Sequence, residues 1–250
     1  MDIKALMNIN EDGVESIVRL YRLVKPIMVY FRTKRMRQFQ ELFKITNESH
    51  ILDIGGTSFM WSLIPTRPRL TILNLFMPKE AVEENITWIV SDGRKLPFKN
   101  SEFDIVYSNS VIEHLTDRAS QEAFAKEIAR VGISYYVQTP NRWFPIEPHF
   151  MTPFIHFFNK SWQKRLVKNF TVWGLLGRPT TQHCEEYVEE LRLLDYQTMR
   201  QLFPDAQILR ESFLGLTKSL IAVRLESNFV SGKSSDSVST SEALKKRQFA

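Results

Sequence analysis

Acidic and polar side chains follow the apolar runs of this sequence at the points where those runs end. Asp53 stands in Ile51-Leu52-Asp53-Ile54 and is followed by Gly55-Gly56. Asn74 and Asp92 close the next two runs, and Asn109-Ser110 closes the fourth. Such groups can bind ribose hydroxyls and amino groups, while glycines let a backbone turn sharply beside a ligand. Polar groups at the ends of several neighbouring strands are hard to explain by folding alone, so the spacing favours a ligand site there.

Two common phosphate-binding patterns are absent. A dinucleotide fingerprint, G-x-G-x-x-G, would place glycines where Thr57 and Met60 stand after Gly55. A P-loop, G-x-x-x-x-G-K-[ST], occurs nowhere in the sequence. Pyrophosphate and nucleoside triphosphate sites of these two kinds are therefore excluded.

The runs that must position these groups read as strands that alternate with helices. We predict strands over 50–54, 70–76, 86–90, 103–108 and 133–139, and a helix over 120–131, with an antiparallel pair over 207–215 and 219–224. Strands and helices in alternation indicate a mainly parallel sheet with helices on both faces. Ligands bind such sheets beyond the carboxyl ends of the strands, where the polar groups stand.

The predicted domain organisation has three parts. Residues 1–45 are predicted to be N-terminal helices that Pro26 separates, because proline interrupts a helix. Residues 46–225 form the main domain, in which 143–190 are a partly helical insertion. Residues 226–250 contain seven serines and few large apolar side chains, which is typical of a disordered tail.

Composition limits the class of protein. Of 250 residues, 33 are basic and 28 acidic, giving a formal net charge of +5, and 43% are hydrophobic. That apolar content excludes global disorder. The one cysteine, Cys184, excludes an internal disulfide and a Cys-rich zinc site, and no metal site is predicted. No secretory signal and no apolar window of about 18 residues are recognisable, so a cytoplasmic location is expected.

The order of the motifs identifies a family. I-L-D-I-G-G, then D-G-R-K-L-P-F, then F-D-I-V-Y-S-N-S-V-I-E-H-L resembles the class I S-adenosylmethionine-dependent methyltransferases, of the small-molecule and quinone (type 11-like) kind. The resemblance covers about residues 35–142 and 192–224. It implies a Rossmann-like, seven-stranded, mostly parallel sheet with a terminal antiparallel strand pair. It also implies a methyltransferase that uses S-adenosylmethionine.

The resemblance also implies a role for each polar group. The turn with Asp53, Gly55 and Gly56 would approach the methionine end of the cofactor, and Asn74 and Leu75 would hold ribose and adenine. Asp92 and Gly93 would contact the adenine amino group and its surroundings, and Asn109 and Ser110 would lie beside the methionine portion. Two departures stand out, because Thr57 and Phe59 replace the usual later glycines and Asn74 replaces a carboxylate, which weakens one hydrogen bond.

A general base is needed only where the methyl acceptor carries a proton. The candidates for catalytic groups are Glu113 and His114, and Glu147 and His149 in the loop that follows the fifth strand. Capping, packing or a rigid loop is the alternative explanation for each of these residues.

The insertion carries a four-residue repeat. Phe154, Phe158, Trp162, Leu166 and Phe170 alternate with Lys160, Lys164 and Lys168, which predicts a basic amphipathic helix with an aromatic face. Its aromatic face would pack in the domain, cover a lipophilic acceptor as a lid, or lie on an anionic membrane.

We expect the acceptor to be a small molecule, either lipophilic or a glycan or lipid precursor. An RNA methyltransferase is one alternative, supported by basic residues in 14–50. Against nucleic acid, the N/D-P-P-Y motif is missing, since Ser108-Asn109-Ser110-Val111 stands there. A non-catalytic interaction protein on the same fold is the other alternative.

Overall fold

A seven-stranded sheet forms the centre of the protein, for which we analysed a computed structural model that describes residues 11–78, 83 and 85–226. The strand order is β3-β2-β1-β4-β5-β9-β8. Neighbours pair in parallel from β3 to β5, whereas β9 is antiparallel to both β5 and β8. A small antiparallel sheet pairs β6 with β7. The strands are β1 (His50–Ile54), β2 (Arg69–Asn74), β3 (Ile86–Val90), β4 (Phe103–Asn109), β5 (Gly132–Pro140), β6 (Ile146–Glu147), β7 (Thr152–Pro153), β8 (Gln207–Phe213) and β9 (Leu216–Arg224).

Helices cover both faces of the sheet, which confirms the predicted fold class. On one face, Phe124 and Met199 pack with Leu52 and Val106 of the sheet. On the other, Phe39 and Trp61 belong to the opposite core. The α-helices are α1 (Glu11–Phe43), α2 (Ser58–Trp61), α3 (Arg118–Val131), α4 (Lys160–Phe170), α5 (Val172–Gly177), α6 (Thr181–Glu190) and α7 (Tyr196–Leu202). Short 3₁₀ turns occur at Ile112–His114 and Ile155–Phe157.

The predicted break at Pro26 is wrong, because α1 is a single helix of 33 residues that contains Pro26. Proline removes one backbone hydrogen bond and normally ends or kinks a helix. Pro26 lies on the exposed side, where water can satisfy the carbonyl that its missing N–H leaves free. Met36, Phe39 and Phe43 at the C-terminal end of α1 are fully buried, and this packing stabilises the helix beyond the proline.

The insertion has an apolar core of its own. Phe150, Val167, Trp173 and Val188 pack together beneath α4, α5 and α6. Asn159 caps α4, since its side-chain oxygen accepts a hydrogen bond from the Trp162 N–H at 3.0 Å. The boundaries of the insertion at 143 and 190 stay a prediction. The division of the chain into N-terminal helices, main domain and tail also stays a prediction. Residues 1–10 and the predicted tail from 227 onward lie outside the described residues. Among the described helices, none is long and apolar enough to cross a membrane.

A buried arginine ties α1 to the far edge of the sheet. Arg35 is 5% exposed, and its Nη2 lies 2.7 Å from Oε2 of Glu211 on β8. Its Nη1 donates to the side-chain oxygen of Gln138 at 3.3 Å and to that of Asn109. The guanidinium thus lies beside the carboxyl ends of β4 and β5, where a ligand is expected.

Replacing Arg35 with methionine should destabilise the fold by about 3 kcal/mol, because the buried Glu211 carboxylate loses its main partner. Urea unfolding measures this change. Arg118→Met is the matched control, since Arg118 pairs with Glu122 on the exposed side of α3 and its loss should cost no more than about 0.5 kcal/mol. Equal effects of the two substitutions would contradict the structural role of Arg35.

Candidate active site

The turn after β1 accepts only glycine at its first position. Gly55 has φ +76°, and a Cβ atom placed there would lie 2.4 Å from Cγ2 of Val111. Its N–H donates to the Leu73 carbonyl at 2.7 Å, which binds the turn to β2. The backbone therefore bends tightly where β1, β2 and the segment after β4 meet.

Asp53 fills the space that a side chain at Gly56 would need. A Cβ atom at Gly56 would lie 1.8 Å from Oδ2 of Asp53. That oxygen accepts a hydrogen bond from the Trp61 indole N–H at 2.7 Å, whereas Oδ1 is buried and has no protein partner among the described residues. Burial raises the pKa of Asp53 to about 7, although the Trp61 hydrogen bond opposes the shift. Trp61, a residue that the sequence reasoning missed, thus orients Asp53 through the short helix α2.

Asn74 connects the end of β2 to the same turn. Its Oδ1 accepts from the Leu75 N–H at 2.8 Å, and its Nδ2 donates to the Gly56 carbonyl at 3.3 Å. The first contact closes β2 at Asn74, two residues earlier than predicted, and leaves Leu75 outside the strand and 71% exposed. An exposed leucine beside the turn can pack on an adenine ring, as the resemblance implies.

Asp92 and Gly93, which follow β3 after Ser91, have different surroundings. The Asp92 carboxylate is exposed, and Arg94 Nη2 lies 2.6 Å from its Oδ2. Hydrogen bonds from the Arg94 guanidinium lower the pKa of Asp92, so this carboxylate is a charged acceptor. Gly93 is required by packing, because a Cβ atom there would lie 2.7 Å from the Phe124 ring.

β4 ends at Asn109, and the backbone of the next residue, Ser110, is strained. Ser110 has φ +56°, unusual for a residue with a side chain, and its hydroxyl donates to the Gln138 side-chain oxygen at 3.0 Å. Asn109 accepts from Arg35. In sequence, the only signal for Arg35 is its place among the basic residues of the N-terminal region, which does not point to a buried position.

The predicted catalytic residues lie together at the ends of β4 and β5. Glu113 is fully buried, and its Oε2 accepts from the Thr139 hydroxyl at 3.0 Å. The His149 ring has Nδ1 2.6 Å from Oε1 of the buried Glu147. The rings of His114 and His149 meet edge to face, with centroids 4.9 Å apart. The structure therefore joins His114 and His149, which stand 35 positions apart in the sequence.

Burial and charge set the protonation of this cluster. Burial raises the pKa of Glu113. It lowers the pKa of His114 to about 4, and the nearby His149 adds to that shift. Burial also opposes charge on His149, but the hydrogen bond and negative charge of Glu147 outweigh it and raise the pKa of His149. At neutral pH, His114 is therefore a neutral imidazole beside a His149–Glu147 pair.

The aromatic repeat of the insertion is arranged differently from the prediction. Helix α4 begins only at Lys160, because Phe154 has φ +64° and a 3₁₀ turn follows it. The three lysines contact α6 and its flanks: Lys160 Nζ donates to the Leu191 carbonyl at 2.7 Å, Lys164 pairs with Glu189 at 2.7 Å, and Lys168 donates to Thr181 at 3.0 Å. The three lysines therefore lie toward α6, where carboxylate, carbonyl and hydroxyl oxygens attract them, and they remain half-exposed. The rings face outward instead, and Phe158 and Trp162 are 50% and 52% exposed.

The arrangement fits S-adenosylmethionine. A turn without Cβ atoms, the unpartnered buried Oδ1 of Asp53, the exposed Leu75 and the charged Asp92 lie along consecutive strand ends. Together they supply a close backbone approach, a buried acceptor, an apolar surface and an exposed acceptor for a nucleoside with an amino-acid end.

Residues 70–134 match the family model described as a methyltransferase domain. These residues are part of a methyltransferase domain. The match covers the strand ends with Asn74, Asp92 and Asn109, and it confirms the predicted class, enzymatic activity and S-adenosylmethionine as cofactor.

Solved structures of methyltransferases resemble this domain at low sequence identity. One is a putative methyltransferase from an antibiotic biosynthesis pathway of Anabaena variabilis, with 14% identity, 72% of this chain and 66% of that chain covered, and a TM-score of 0.46. Another is an S-adenosylmethionine-dependent methyltransferase from Aquifex aeolicus, with 10% identity, 75% and 87% covered, and a TM-score of 0.43. A third is phosphoethanolamine N-methyltransferase 2 of Haemonchus contortus in complex with S-adenosylmethionine, with 12% identity, 69% and 37% covered, and a TM-score of 0.44. No curated protein matches the chain.

Asp53→Asn should change how stability depends on pH. The native pKa of Asp53, about 7, exceeds the ordinary value of 3.8, so the native state retains a proton that the unfolded state loses between these values. The wild-type protein should lose stability relative to the variant as pH rises from 4 to 8, by at most about 4 kcal/mol for a shift of this size. Chemical denaturation at several pH values measures the difference. Parallel curves for the two proteins would show that Asp53 is charged in the native state.

Proposed function

We propose that this methyltransferase methylates a lipophilic small molecule that it takes from the surface of an anionic membrane. The observation that carries the proposal is an exposed group of rings on the insertion and the loop before it. We call this group the aromatic patch; it consists of Trp143, Phe154, Phe157, Phe158 and Trp162.

The aromatic patch is a continuous apolar surface for part of its length. The rings of Trp143 and Phe157 stack with centroids 6.0 Å apart, and Phe154 lies 6.3 Å from Phe157. Trp143 is 62% exposed. Large exposed rings that contact one another are uncommon on a monomeric surface and mark a binding face.

Arginines accompany both tryptophans. The Arg142 guanidinium lies 5.6 Å from the Trp143 ring centroid, and Arg165 lies 5.6 Å from that of Trp162. Both arginines are exposed. Tryptophan rings favour the boundary between lipid and water, and adjacent cations favour anionic head groups. This combination supports a peripheral location on the cytoplasmic face of a membrane.

The aromatic patch continues into the residues that would meet the acceptor. The loop that begins with Trp143 carries Glu147 and His149, and His149 contacts His114 after β4. A lipophilic molecule that enters from the aromatic patch would therefore reach the Glu113, His114 and His149 cluster. Bound S-adenosylmethionine supplies an activated methyl group. The protein's residues orient the acceptor, exclude water with the walls of the insertion, and accept a proton where the acceptor has one.

Exposed rings can also stack on the bases of single-stranded RNA. Phosphate contacts would then require free basic groups beside the rings. Lys160, Lys164 and Lys168 contact α6 instead. Arg142 and Arg165 are exposed beside the rings and could contact phosphates of either ligand, so the binding experiment below decides between a membrane-derived acceptor and RNA.

Asn74→Ala should weaken the binding of S-adenosylmethionine by about 1–3 kcal/mol, as expected for the loss of a hydrogen bond to a buried ligand group. Asp92→Ala should have an effect of similar size. Isothermal titration calorimetry measures both, with Glu122→Ala on the exposed side of α3 as the control. Unchanged affinity in both site variants would place the cofactor elsewhere.

Phe158→Ser combined with Trp162→Ser should reduce binding to anionic liposomes at least tenfold, because each ring removes apolar area from water on binding. Thermal stability should change little, since both rings are exposed. Val90→Ser, an exposed apolar residue at the opposite side of the sheet, is the control. Co-sedimentation measures the effect. Binding of the wild-type protein to single-stranded RNA but not to liposomes would favour the RNA alternative.

A further inference from the structure

We propose that Glu113, His114 and His149 form a binding site for one divalent cation of the zinc type. Each residue offers one ligand atom, and these atoms all lie within 4.8 Å of one another. The three residues come from two elements, the 3₁₀ turn Ile112–His114 after β4 and the loop after β5. The fold, rather than one stretch of sequence, brings them together.

The distances allow closure on a metal. Ligand atoms about 2.0–2.2 Å from a tetrahedral zinc ion lie about 3.4 Å apart. The separation found here exceeds that value by little more than an ångström at most. Rotation of the His114 ring can supply such a shift, and both imidazoles are half-buried. Their partial exposure also gives the cation a path from solvent.

Glu113 provides an independent sign that something occupies this place. It is fully buried, its Oε2 has the Thr139 hydroxyl as a donor, and its Oε1 has no partner among the described residues. Buried carboxylate oxygens are rarely left unpaired, because desolvation without a partner costs free energy. A cation ligated by Oε1 would satisfy this atom.

His149 is held as metal-ligating histidines are held. Its Nδ1 lies 2.6 Å from Oε1 of Glu147, so an Nδ1–H donor leaves the Nε2 lone pair free to bind a metal. Glu147 is itself fixed, because its Oε2 accepts from the Phe150 N–H at 2.6 Å. The carboxylate–histidine pair thus fixes both the tautomer and the orientation of the ring.

The donor set selects the cation and suggests its role. Two imidazoles and one carboxylate suit Zn²⁺, whereas Mg²⁺ and Ca²⁺ prefer oxygen ligands alone. Three protein ligands leave at least one position open, as in zinc sites that bind a substrate or water. Resting on the proposed function, we infer that this position binds an oxygen of the acceptor and lowers the pKa of that group.

Cobalt titration tests the site without any measurement of activity. The untagged, full-length protein is freed of metal with a chelator and titrated with Co²⁺, whose visible absorption reports imidazole and carboxylate ligation. We expect one Co²⁺ per chain, displaced by Zn²⁺ and not by Mg²⁺. Glu113→Gln preserves the size of the side chain and its contact with Thr139, and should weaken Co²⁺ binding at least tenfold, as should His149→Ala. Glu147→Gln should weaken it by about 10–100-fold, the range for a residue that orients a ligand.

His183→Ala is the matched control, because His183 lies on α6 of the same insertion and outside the cluster. It should retain the cobalt spectrum, and circular dichroism should show that every variant is folded. Absence of a spectrum with the wild-type protein at millimolar Co²⁺, or an unchanged spectrum in Glu113→Gln and His149→Ala, would overturn the proposal. Calorimetry with S-adenosylmethionine on the same samples separates the two inferences. A protein that binds the cofactor but not Co²⁺ would overturn only the cation site. A protein that binds Co²⁺ but not the cofactor would overturn only the role of the cation in binding the methyl acceptor.

Discussion

The space beside Gly56 is the constraint on which the candidate site depends. Asp53 occupies that space and is held there by the Trp61 indole, so no side chain fits at Gly56. Gly55 meets Val111 from the segment after β4 with similar closeness. Because Asn74 also donates to the Gly56 carbonyl, one turn fixes the mutual positions of the ends of β1, β2 and β4. A ligand that approaches this backbone finds polar groups already in place.

A second buried contact sets the opposite side of the site. Arg35 joins α1 to Glu211 on β8, and it also contacts Asn109 and Gln138 at the ends of β4 and β5. The N-terminal helix is therefore part of the site's wall and not an appendage. The insertion supplies the remaining wall, with its rings outward and its lysines bound to α6.

The sheet could be predicted from the sequence because buried parallel strands are short apolar runs with polar groups at their ends. Asp53, Asn74 and Asp92 were predicted in this way, and the structure places them at or just beyond the ends of β1, β2 and β3. The continuity of α1 through Pro26 could not be predicted, since tertiary packing at its C-terminal end overrides the local cost of proline. The face of α4 that meets the protein could not be chosen from the sequence, because spacing identifies an amphipathic helix but does not say which side is buried. Long-range pairs such as Arg35 with Glu211 leave no local pattern.

Hydrogen–deuterium exchange with and without S-adenosylmethionine tests the central claim most directly, because it locates the cofactor on the chain. We expect cofactor-dependent protection of backbone amides in the segments around Asp53 to Thr57, Asn74 to Met77, Asp92 to Gly93 and Asn109 to Ser110. Little change is expected in α3 near Glu122, which lies on the exposed side of the domain. Protection confined to the insertion, or no protection at saturating cofactor, would contradict the placement of the methyl donor at the strand ends.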